Sequence, residues 1–145
     1  MGLDMYLTKR VYVGGNYEHN KIEGKIEITR QGEALKVDLK KVTSIIEEAG
    51  YWRKANAIHK WFVDNVQDGV DNCSEYYVDF SQLEELKSLC EEVLKTKDAT
   101  KLPPEGGFFF GSTDVDEYYF EDLRETIKII NSLEPGEEYY YRSSW

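Results

Sequence analysis

Between Gly50 and Val66, in GYWRKANAIHKWFVDNV, the chain gathers two of its three Trp residues and one of its two His residues. Three cations, Arg53, Lys54 and Lys60, lie there with no acid between Glu48 and Asp64. A guanidinium and an ammonium neutralise phosphate, indole rings wall or stack a base, and an amide and an imidazole supply directional hydrogen bonds. Trp52, Arg53, Asn56, His59, Lys60 and Trp61 are therefore candidate ligand-binding residues, for a small anionic and nucleotide-derived ligand. A second stretch, GGFFFGS over residues 106–112, places glycines on both sides of Phe108, Phe109 and Phe110. These three rings are candidates for a wall that closes the same site. The segment is no phosphate loop, because the Gly-Lys-Ser/Thr ending is missing.

Each of these residues also has a plainer use. Large aromatics at helical spacing normally pack a core. A His among them is most often half-buried and hydrogen-bonded, and exposed cations mostly form a solvated surface. As general acid or base His59 would need an orienting carboxylate, for which Asp71 and Glu75 are the candidates. No nucleophile sits at a recognisable turn, so no catalytic residue is assigned. Cys73 and Cys90, the two thiols, lie in no metal-ligand spacing and read as reduced structural residues, which leaves no expected metal or cofactor.

The elements that must position these residues follow from periodicity. At 145 residues, 41% hydrophobic and 14% aromatic, the chain fits a single globular domain over 1–145. Leu3 to Val13 alternates as a strand, with a register break expected near Lys9 and Arg10. Gly14-Gly15-Asn16 marks a turn, with the loop continuing over Tyr17 to Asn20. Lys21 to Arg30 and Ala34 to Leu39 then read as a hairpin about Gln31-Gly32-Glu33. Lys40 to Ala49 has apolar spacing that suits a short helix, with Gly50 as its left-handed cap.

From Tyr51 to Asp68 the spacing predicts one aromatic helix, with Trp52, Ala55, His59, Phe62 and Val66 on one stripe and Arg53, Asn56, Lys60 and Asp64 opposite. Glu75 to Phe80 is strand-like, and Ser81 with Glu84 forms a capping pattern for a helix burying Leu83, Leu86, Leu89, Cys90, Val93 and Leu94. Val115 to Leu133 is helical, with Tyr119, Phe120, Leu123, Ile127 and Ile130 inward. Glu137 to Trp145 is β-prone. The expected class is α+β, with a mainly antiparallel sheet carrying three to four helices and including the N-terminal strand and the hairpin.

Charge narrows the partners. The net charge is -10, and Met1 to Ser74 balances eleven cations against eleven acids, so the remaining residues hold seven against seventeen. Such a surface disfavours direct binding of duplex nucleic acid. No window approaches eighteen apolar residues and no signal peptide is visible, so no membrane association is expected and the cytoplasm of a bacterial host is the expected location.

The opening MGLDMYL, the YWRKANAIHKWF segment and the GFFFG loop together resemble a family of small bacteriophage, prophage and bacterial proteins with no established activity. The match spans most of the chain, and is weakest over Gly14 to Leu39. It implies a phage or bacterial setting and no particular chemistry. In that setting three functions compete. The first is a non-catalytic binding protein with an aromatic-cationic pocket, plausibly for counter-defence as an inhibitor of host defence. On a regular helix Arg53 and His59 diverge, so a homo-oligomer is invoked to bring cations and aromatics together. The second is an acidic interaction protein that blocks a host nucleic-acid-binding protein through Glu84, Glu85, Glu91 and Glu92 and through Asp116, Glu117, Glu121, Asp122 and Glu125. The third, ranked last, is an enzyme using His59.

Overall fold

The structure, a computed structural model, describes residues 2–14 and 27–145. Strand β1 (Asp4–Tyr12) is followed by the short strands β2 (Thr29–Arg30) and β3 (Glu33–Ala34), then by β4 (Ser44–Arg53) and helix α1 (Asn56–Val66). Strand β5 (Tyr76–Val78), helices α2 (Phe80–Thr96) and α3 (Glu117–Asn131), and strand β6 (Glu138–Ser144) complete the order. Strands β4, β1, β6 and β5, in that order, make one antiparallel sheet through three pairings, with the helices on one face. The class is α+β, as its pattern of elements predicts.

Alternation along β1 decides which face is covered. Met5 lies between Trp52 and Ser143, and Leu7 between Gly50 and Tyr141, all of them buried. Tyr6 lies between Tyr51 and Arg142 on the open face, where Arg142 sits 4.4 Å above the Tyr6 ring. Helix α1 lays Phe62 flat on Tyr141, with centroids 3.9 Å apart. Helices α2 and α3 complete the core with Leu83, Leu86, Cys90 and Val93, and with Tyr119, Leu123, Ile129 and Ile130. Burial pushes the Cys90 thiol up to about 12, which keeps it inert, and both cysteines are free.

Several local expectations are corrected. The stretch expected to be helical from Tyr51 begins as strand, because β4 runs through Arg53 and α1 starts only at Asn56. Ser44 to Ala49, expected at the end of a helix, is strand too. Apart from Ala49, the apolar side chains of this run are β-branched or aromatic, and nearly the whole segment finds a partner in β1, so pairing decides where spacing alone was ambiguous. Gly50 caps nothing. It leaves room for α3, since a Cβ there would lie 2.6 Å from Ile129 Cγ2.

The register slips between Leu7 and Thr8 rather than near Lys9 and Arg10. Helix α2 is capped by Asp79, not Ser81: Asp79 accepts from the Ser81 N–H at 3.0 Å and Gln82 Oε1 accepts from the Asp79 N–H at 3.0 Å. The hairpin turns at Gln31-Gly32 but forms a two-stranded sheet of its own, β2-β3, instead of joining the main one. The turn and loop expected over 15–20 and the first part of that hairpin, 21–26, lie outside the described residues.

Candidate functional site

The site residues named from the sequence fall into two groups. One is built into the core. Trp52, inward-facing on β4, is 4% exposed, and its indole N–H donates to Thr126 Oγ1 at 2.9 Å. Trp61 is 6% exposed and meets Phe62 edge-on. Asn56, at the first turn of α1, is also buried and ties down the Phe-rich loop. Its amide N–H groups donate to the carbonyls of Phe110 at 3.0 Å and Ser112 at 2.8 Å, while its oxygen accepts from the Glu105 N–H at 3.1 Å.

His59 is 1% exposed, with both ring nitrogens engaged: Nδ1 lies 2.7 Å from the Tyr141 hydroxyl and Nε2 2.9 Å from Asp71 Oδ2. One tautomer satisfies both contacts. Burial raises the pKa of Tyr141 well above the usual phenol value, so its O–H is present to donate to Nδ1, and Nε2–H then donates to the acceptor-only carboxylate of Asp71. Asp71 Oδ1 in turn accepts from the Trp145 indole at 3.1 Å. Of the two carboxylates considered for His59, Asp71 meets it, whereas Glu75 pairs with Arg10 at 2.6 Å. This cluster borders a cavity of about 280 Å³ shared with Lys60, Asp64, Glu105 and Phe110. Lys60 is held there between Asp64 and Glu105, each at 3.3 Å, and those two bonds raise its pKa.

The three Phe residues separate. Phe110 is buried edge-on to His59 at 5.2 Å, and Phe109 is half-buried, its carbonyl accepting from the Leu3 N–H at 2.9 Å. Phe108 is 95% exposed.

The other group surrounds the junction of β4 and α1. A cavity of about 300 Å³ opens there, lined by Arg53, Lys54, Asn56, Ala57, Ile58, Gly111, Ser112, Asp116, Tyr118 and Asp122, among others. Lys54 makes the junction in a left-handed conformation, φ 59°, that side-chain-bearing residues seldom adopt. Its N–H donates to the Leu3 carbonyl at 2.8 Å, its carbonyl accepts from the Asn56 N–H at 2.8 Å, and its stem packs against Gly111, itself at φ +86°. No side chain caps α1 and no acid lies in its first turn. Among the described residues neither the Ala57 nor the Ile58 N–H finds an acceptor. Arg53 pairs with Asp4 at 3.2 Å, while Lys54 has no ion-pair partner among the described residues. Comparison with family models, with curated proteins and with solved structures gives no match.

Chemically, this junction offers an anion two cations and the positive end of a helix whose N–H groups are unspent. The carboxylates on the same cavity come from separate elements: Asp114 and Asp116 from the loop before α3, Asp122 from α3 itself. Lys54, Tyr118, Asp116 and Asp122 were absent from the site drawn from sequence. The signal for Lys54 was its place in the acid-free cationic run. Tyr118 and Asp122 carried none, because only the docking of α3 beside α1 brings them there. Among the described residues no three His, Cys, Asp or Glu side chains gather as metal ligands, and no helix is long and apolar enough to cross a membrane.

Proposed function

We propose that the protein is a non-catalytic binding protein that takes a small anionic, nucleotide-derived ligand at the start of α1, in a phage or bacterial setting where it acts as an inhibitor of a host defence. The observation that carries this is the uncapped, acid-free N-terminus of α1 opening into a cavity of about 300 Å³ beside Arg53 and Lys54. That volume is at the lower end of small-ligand sites. The ammonium of left-handed Lys54, unpaired among the described residues, supports the reading, since backbone strain of this kind collects where a side chain is aimed for use. Cations and helix terminus share one cavity in one chain, so a second copy is not required to unite them. Tyr118, largely exposed on the lining of that cavity, offers a ring to cover a base, whereas the Trp rings serve the fold. Native mass spectrometry of protein purified from cells, with the denatured extract analysed for released nucleotides, tests the proposal. A stoichiometric phosphate-bearing adduct is expected. Bare protein that also ignores added nucleotides in calorimetry contradicts it.

One observation favours contact with a basic host protein as a second role. On α3, Arg124 is shared by Glu117 and Glu121, and Lys128 sits beside Glu125, so its acids are largely answered within the helix. On α2, Glu84, Glu85 and Glu91 are exposed and unpaired among the described residues. Neutralising these three should weaken capture of such a partner and flatten its salt dependence.

A further inference from the structure

The anion-binding end accounts for only part of the cavity. Asp122 is half-buried there, and among the described residues its carboxylate has neither a hydrogen bond nor an ion pair. Asp116 differs, because it caps α3 by accepting from the Tyr119 N–H at 3.2 Å. A half-buried carboxylate without a donor is unfavourable, and burial together with the nearby charges of Asp116 and Glu121 pushes Asp122 up to about 6. A simple anion filling the cavity would add to that repulsion. A ligand that brings N–H donors would remove it, since an ionised carboxylate accepts two parallel hydrogen bonds and donates none.

We infer that the ligand has two unlike ends, an anionic group received at Lys54 and the first turn of α1, and a guanine-type edge of two adjacent N–H donors received by Asp122. This rests on the anion-binding proposal above. Among the common bases, guanine presents a ring N–H beside an amino group, the pair a carboxylate matches. Adenine offers an amino group beside an acceptor that Asp122 would repel, and hypoxanthine offers the ring N–H alone. Tyr118, 82% exposed at the cavity, supplies a ring face on which the base can stack without selecting its identity.

The test is calorimetric titration of the full chain at pH 7.5 with guanosine, inosine and adenosine 5′-monophosphates and with ribose 5-phosphate, repeated on Asp122→Asn. Guanosine monophosphate is expected to bind at least tenfold more tightly than the inosine compound, which lacks only the amino group. In Asp122→Asn that preference should collapse, while ribose 5-phosphate binds as well as before or better. If all four compounds bind wild-type protein alike, or if Asp122→Asn keeps the guanine preference, the donor-edge inference is overturned and the anion site stands. If ribose 5-phosphate fails along with the nucleotides, the anion site falls and takes the inference with it. The wild-type series decides between these results even if the variant does not fold.

Discussion

Two regions meet along the first turns of α1, and they treat their polar groups in opposite ways. Around His59 every polar atom of Tyr141, Asp71 and Trp145 that enters the cluster has a partner, and Asn56 uses both donors and its acceptor on one loop. At the Lys54 junction, an ammonium, a half-buried carboxylate and two helix N–H groups are left without partners among the described residues, beside open volume. Full pairing under burial satisfies these polar groups and rigidifies the core around them. Unspent donors and acceptors around a cavity mark where a second molecule can enter.

Breaking the paired region should be costly in stability. Trp61→Ala removes a core indole and should lower unfolding free energy by roughly 3 to 5 kcal/mol in urea titration. A variant of near wild-type stability would move Trp61 out of the core and weaken the contrast. Asn56→Ala should cost about 2 to 3 kcal/mol, from three hydrogen bonds, one buried and two part-buried, of about 1 kcal/mol each. Hydrogen exchange should then accelerate at the Glu105 amide and across 105–112. Unchanged protection there would mean that the loop holds itself.

The unpaired region should respond with the opposite sign. The folded pKa of Asp122, about 6, lies above its ordinary carboxylate value. The native state therefore holds a proton that the unfolded chain has lost, and the stability this group contributes in acid disappears as pH rises through about 6. Asp122→Asn should accordingly stabilise the protein by about 1 to 2 kcal/mol at pH 8 and by almost nothing near pH 4. An equal effect at both pH values would place the carboxylate in ordinary solvent. Lys54→Gly relieves a left-handed backbone and should add about 0.5 to 1 kcal/mol, yet weaken ligand binding. Improved stability with binding unchanged would make Lys54 a bystander.

The sequence was most legible where one face of an element is buried. Alternation found β1, and helical spacing found α2 and α3, because burial imposes period on residue type, while β6 was found by its β-prone tyrosines. It was least legible from Ser44 to Arg53, where Ile45, Ile46 and Ala49, with Val42 before them, fit a helix face and only pairing with β1 settles the matter. That single misreading hid the site. With Trp52 and Arg53 on one long helix, the cations pointed away from His59, whereas the strand-to-helix junction turns Arg53 and Lys54 toward the start of α1. Asn56 and His59 were found by type, but their roles as loop anchor and network centre depend on Ser112, Asp71 and Tyr141, distant partners that only the fold supplies.

The central claim is that a small anion enters at Lys54 and the first turn of α1, and reversing one charge tests it most directly. Lys54→Glu leaves the paired core untouched and places a carboxylate at that entrance. Calorimetric titration of the wild type and this variant with phosphate-bearing nucleotides at low salt should show saturable binding that falls at least tenfold in Lys54→Glu, while urea unfolding changes little. Equal affinity in the two proteins would contradict the account.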